Sequence, residues 1–323
     1  MAELRRWSVI FAVVLVSFCG LVSTATADTA VGEESEATET NEEPAEGAGF
    51  DRLGVEEPTG LARAELVGFQ TIHGIVAGVE LCVIADCQSP RAALSAVTLG
   101  AATGLGASLL ATHETGITPG QASALNSGVL WGGWLGLMAS DLAGTDGRGV
   151  AGTMLVGQLG GMGLGYGLSN LTGATAGDVG LVNQSGLWAG IFYTIIRDGV
   201  LEANVSREAG RVGLMMTAVA GGVGGGALAS QVPMSRGRVT VTSASGLLGG
   251  LVGAAVPVLA VGDDVNSQVV ATGVTLGAAG GLLTAGYLTR NWDGDEYRPD
   301  SASLGIQPTA DGEGMLGTLS GRF

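Results

Sequence analysis

From residue 59 onward the chain repeats a helix-start signal every 28 to 31 residues. That period constrains the fold more than any other property of the sequence. Thr59, Ser89, Thr118, Asp146, Thr175, Ser206, Ser235 and Asn266 each stand before a long uncharged or weakly charged run. Side-chain oxygens of these types accept hydrogen bonds from the free backbone N–H groups of a first helical turn. Pro90 and Pro119 follow two of them, at a position where a helix needs no N–H. Eight equal units predict eight helices of about 20–25 residues, each about 30–38 Å long.

Alternate units resemble each other more than neighbours do. The third reads Asn126-Ser127-Gly128-Val129-Leu130-Trp131, the fifth Asn183-Gln184-Ser185-Gly186-Leu187-Trp188, and the seventh Ser243-Ala244-Ser245-Gly246-Leu247-Leu248. The repeating object is therefore a helical hairpin of two units, present four times. Small residues also recur four apart: Gly128, Gly132 and Gly136; Gly157, Gly161 and Gly165; Ala218, Gly222, Gly226 and Ser230; Gly246, Gly250 and Ala254; Gly273, Gly277, Gly281 and Ala285. Positions four apart share one helix face. A small-xxx-small face lets two helix backbones approach closely, as membrane helix pairs often do.

Charge is missing where a soluble helix would need it. No Asp, Glu, Lys or Arg occurs in 92–113, 115–140, 149–177, 179–196, 212–235, 239–262 or 265–289. Each stretch reaches the roughly 18 residues of a spanning segment, and none shows the charged face of a surface helix. Charged residues are 14% of the chain, against about 25% in an ordinary soluble domain. The first unit is the weakest span, because His73 lies within it and Glu80 interrupts it. The sequence thus predicts an all-α fold: about eight long Gly/Ala-rich helices as four repeated hairpins, a membrane-embedded bundle with a short C-terminal tail or β-hairpin. A soluble periplasmic helical-repeat binding module would have to bury every helix on all sides, which a chain of this size does not easily do. An outer-membrane β-barrel is suggested by the terminal Phe323. It is opposed by Gly128–Ala139, which is apolar on both parities, and by the 5% aromatic content.

The N-terminus reads as an export signal. Arg5 and Arg6 precede the apolar run Val9–Val22, and Ala25-Thr26-Ala27 fits a cleavage site. An uncleaved anchor is opposed by the shortness of the run, and lipoprotein processing at Cys19 by the bulky Phe18 before it. Residues 28–58 hold eleven Asp/Glu and almost no large apolar side chains, a composition that predicts a disordered acidic linker. The organisation expected is a signal peptide over 1–27, the linker over 28–58, the helical domain over 59–292 and a polar tail over 293–323. The formal charge is −16 and Lys is absent, so no basic patch points to nucleic acid. The partners expected are the lipid bilayer and, by self-association, further copies of the chain.

Cys82 and Cys87 are candidates for a disulfide, since an exported chain meets an oxidising compartment. A bridge requires the first helix to end near Asp86, which Ser89-Pro90 permits; two free thiols are the alternative. His73 is the only histidine near them, so the spacing of a metal site is missing. The sequence holds no Gly-x-Ser-x-Gly elbow, no His-Glu-x-x-His and no phosphate loop with Lys. No cofactor or metal and no enzymatic activity is expected. Polar residues recur within the apolar runs: Asn126, Ser127, Gln158, Asn183, Ser185, Ser243 and Ser245. They are read first as interhelical hydrogen-bonding groups and second as the lining of a polar path. Two functions follow, a non-enzymatic structural protein of the envelope, inner membrane before outer, and a channel or small-solute transporter. A cleaved signal and eight spans would leave the linker and the C-terminus periplasmic. The cytoplasmic loops would then hold Arg91, Arg148, Arg197, Arg207 and Arg211, against Arg236, Arg238 and Arg290 outside.

Overall fold

The computed structural model describes residues 56–262, 264–293, 303–308 and 315–320. The signal peptide and all of the acidic linker before Glu56 lie outside the described residues. Among the described residues eight α-helices follow one another: α1 (Gly60–Ile84), α2 (Pro90–Ala111), α3 (Pro119–Ala143), α4 (Gly147–Thr172), α5 (Ala176–Thr194), α6 (Arg207–Ala229), α7 (Arg236–Val261) and α8 (Ser267–Leu288). A π-helical turn, Ile195–Val200, extends α5. Separately, β1 (Ser303–Pro308) and β2 (Met315–Ser320) form an antiparallel hairpin in which Ser303 pairs with Ser320 and Pro308 with Met315.

Each helix begins at the residue whose chemistry demands it. Thr59, Ser89, Thr118, Asp146, Thr175, Ser206, Ser235 and Asn266 all accept a backbone N–H of their own first turn. Thr118 with Gln121, and Thr175 with Asp178, complete reciprocal capping boxes. Helices α3 and α4 end at Gly144 and Gly173, both left-handed at φ 63°. At the close of α1, Asp86 takes φ 57° and turns the chain so that the Cys87 N–H donates to the Cys82 carbonyl at 3.0 Å.

The helices pair as α1/α2, α3/α4, α5/α6 and α7/α8. The pairs are close because backbone meets backbone. A methyl group on Gly74 would overlap the Gly100 carbonyl and one on Gly100 the Gly74 carbonyl; the same reciprocity holds for Gly128/Gly161, Gly132/Gly157, Gly249/Gly277 and Gly253/Gly273. In α7 the close face is Ser245–Gly249–Gly253, one position away from the Gly246/Gly250 stripe that spacing suggests. In α6 it is Gly221 and Gly225, not Gly222 and Gly226. Runs of adjacent glycines offer several stripes, and the choice between them is made by what the other faces must accommodate. Gly246 faces the Trp188 ring and Gly186 the Trp131 ring.

Helices α1, α3, α5 and α7 form an inner row: α1 packs on α3, α3 on α5, and α5 on α7. They carry most of the buried residues, α3 above all. The even helices lie outside and turn large apolar side chains outward, such as Leu94, Leu110, Leu164, Val223 and Leu283. Among the described residues six helices are long and apolar enough to cross a membrane: α1, α2, α5 with its π turn, α6, α7 and α8. Helices α3 and α4 are as long but fall below that level of apolarity. The polar Gln, Asn and Ser residues of α3 and the many glycines of α4 account for this, and α3 is the helix most enclosed by others.

Candidate functional site

Helix α1 places Gln70, His73 and Glu80 on one face, three and seven residues apart. That face meets α3 and α4. The Gln70 Nε2 donates to Asn126 Oδ1 at 3.3 Å. The Gln70 Oε1 lies 3.0 Å from His73 Nδ1. On the other side of the ring, His73 Nε2 lies 3.0 Å from Gln158 Oε1. The Gln158 Nε2 in turn donates to Glu80 Oε1 at 2.7 Å. A continuous polar chain thus runs Asn126–Gln70–His73–Gln158–Glu80 through three helices. Gln70, Glu80, Asn126 and Gln158 are all buried, and Glu80 is 6% exposed. Its second oxygen, Oε2, is buried and has no hydrogen-bond partner.

A second polar contact joins α3 to α5. Asn183 Nδ2 donates to Ser127 Oγ at 2.6 Å, and Trp131 Nε1 donates to Asn183 Oδ1 at 2.9 Å. Asn126 and Ser127, adjacent in sequence, therefore face opposite neighbours: Asn126 turns to α1 and Ser127 to α5.

The expected polar stripe divides accordingly. Asn126 and Gln158 belong to the α1 chain, Ser127 and Asn183 to the α3/α5 contact. Ser185 lies against α6, where a methyl on Gly225 would come within 2.7 Å of its side chain. Ser243 is buried in α7, and the Ser245 carbonyl packs on Gly281 of α8. No hydrogen bond among the described residues joins these three serines to the Asn126 chain. Cys82 and Cys87 are joined as a disulfide, with Cα atoms 5.2 Å apart. Gln70 is the member that spacing does not reveal, while His73 and Glu80 stand in the sequence as separate interruptions of the first unit. The signal available is their common face on α1, a span interrupted by both His73 and Glu80.

The helix ends carry the remaining charges, mostly in pairs. Arg148 meets Asp86 at 2.6 Å, Arg211 meets Asp141, and Arg236 holds Glu65 through two bonds of 2.9 Å. Arg238, 7% exposed, meets Asp293 at 3.1 Å. Glu56, just before α1, accepts from the Gly120 N–H at 2.5 Å and the Ala176 N–H at 2.9 Å, so one carboxyl caps two helices. Burial raises the pKa of this carboxyl above the ordinary 4.5, and the two backbone donors oppose the shift in part. Among the described residues no group of three His, Cys, Asp or Glu side chains is placed to hold a metal ion.

The chain matches no family model, no curated protein and no solved structure.

Proposed function

We propose that the chain is an integral membrane protein of the cell envelope, with a structural and non-enzymatic role. It would act as a compact bundle of four glycine-packed hairpins exposed to lipid through its even helices. The observation that carries this reading is the outward apolar surface of six span-length helices, with charge kept to their ends apart from Glu80 of α1. Such a surface in water would be an aggregation hazard; in a bilayer it faces its natural solvent. The exposed faces also provide for self-association. Fractionation tests the reading: the protein should stay with membranes through carbonate extraction and partition into detergent. Recovery in the soluble periplasmic fraction would sink it and favour a soluble repeat module.

A second reading, a channel or small-solute transporter, is favoured by one specific observation. Buried polar groups in apolar helices are costly, and the Asn126–Glu80 chain contains an ionisable pair. Asn126→Cys and Asn183→Cys variants test it. Aqueous thiol reagents should reach both positions if they line a path; protection of both removes the idea.

A further inference from the structure

We infer that His73 is a proton-binding site, taking its proton at Nδ1 and using Glu80 as counter-charge through the Gln158 amide. The inference rests on the hydrogen-bond geometry of the half-buried ring and its buried neighbours, so it stands or falls separately from the membrane reading. The argument starts at Glu80. As a carboxylate its Oε1 can accept only, so the Gln158 side facing it must be the NH2 group. That fixes the Gln158 oxygen toward His73 Nε2, which must therefore carry a hydrogen. While Glu80 is ionised, one end of the ring is thus a donor in both states of the ring.

The other end has two states. With the Gln70 oxygen facing Nδ1, as observed, Nδ1 must also carry a hydrogen, and the ring is an imidazolium. When Nδ1 gives its proton to water, the ring becomes neutral with a lone pair at Nδ1. The Gln70 amide then turns over to donate its NH2 to that lone pair, and its oxygen faces Asn126, whose amide turns as well. Every group in the chain keeps a partner in both states. The site moves between a neutral total charge, His73 protonated beside the Glu80 carboxylate, and a total of one negative charge. Proton binding is thereby coupled to the hydrogen bond that joins α1 to α3.

Few other groups can supply the charge. Around α1, helix α2 offers only Arg91 in its first turn. Helix α3 offers only Asp141 in its last turn, tied to Arg211. Helix α4 offers Arg148 in its first turn, tied to Asp86, and Tyr166, half exposed on its outer side. On α1 itself Arg63 and Glu65 lie at the opposite end from Glu80, and Arg63 donates to Thr112 while Glu65 holds Arg236. Glu80 is the group reached from the ring through a single amide, and its unpartnered Oε2 leaves its charge otherwise uncompensated.

The test uses the full chain in detergent with His113→Asn, so that His73 is the only histidine; His113 sits in an exposed turn. Nitrogen NMR of the labelled ring is followed from acid to alkaline pH. The expected result is an imidazolium that loses its Nδ1 proton while Nε2 stays protonated. Adding Glu80→Gln should weaken proton binding by about tenfold or more. A neutral ring whose hydrogen is on Nδ1 overturns the inference, as does a midpoint that Glu80→Gln leaves unchanged. If the double variant does not fold, the tautomer of the neutral ring in the single variant decides: hydrogen on Nε2 supports the site and hydrogen on Nδ1 overturns it.

Discussion

Trp131 of α3 and Trp188 of α5 occupy equivalent places in successive hairpins, yet only the first has its indole N–H satisfied. Trp131 donates to Asn183, whereas Trp188 Nε1 is buried without a partner. The repeat explains the difference. Asn183 lies eight residues after its cap, and the same place in α7 holds Ser243, which is shorter. Trp131→Phe should therefore leave the Asn183 oxygen unpaired and cost about 1 kcal/mol. Trp188→Phe removes an unsatisfied donor and should be close to neutral. Thermal unfolding of both variants in one detergent checks the ordering; an equal or reversed cost would mean that the indole bond contributes nothing.

The glycine contacts give a second pair. A methyl on Gly132 would overlap the Gly157 carbonyl, and only separation of α3 from α4 relieves it. Gly132→Ala should cost about 1–3 kcal/mol. Gly160, on the same hairpin, has nothing within 4 Å of an added methyl. Gly160→Ala should stabilise by about 0.5–1 kcal/mol through helix propensity. Unfolding midpoints that move together in both variants would show that close approach is not what the glycines supply.

Helix starts were legible because a cap is local chemistry: Thr118 and Gln121 satisfy each other within four residues, whatever the tertiary fold. The hairpin period was legible for the same reason. What joins hairpins was not. His73 and Gln158 are 85 residues apart, and Gln70 and Asn126 are 56 apart. Nothing in either local run distinguishes a polar side chain that meets a partner from one that faces outward. The π turn at Ile195–Val200 also left no mark in the pattern, since its residues read as an ordinary continuation of α5.

Glu56 gives a pH prediction. Its carboxyl is held above the ordinary 4.5, chiefly by burial, so the folded chain binds this proton more tightly than the unfolded chain. Its contribution is therefore fully present below the ordinary value and is lost as pH rises through the folded value. Glu56→Gln is neutral throughout. The stability difference, parent minus variant, should fall as pH rises across that window. A difference that grows with pH would show that the two backbone donors outweigh burial.

The disulfide makes the last prediction, about sidedness. Cys82–Cys87 closes the turn between α1 and α2, and the Asp86–Arg148 pair places that turn at the same end as the α3–α4 turn. Glu56, with the starts of α3 and α5, marks the other end. A bridge of this kind persists in an oxidising compartment and is rare in a reducing cytoplasm. A cleaved signal would put the Glu56 end outside, and a spanning α1 would then carry the cysteines inward. The disulfide opposes that orientation for an inner membrane; both features are compatible where each face of the membrane is oxidising. In intact cells, with Cys19→Ser leaving two cysteines, an impermeant alkylating reagent should label neither thiol before impermeant reduction and both after it. Labelling by a permeant reagent alone, without reduction, would place free thiols on the cytoplasmic side and remove the disulfide from the protein in its cell.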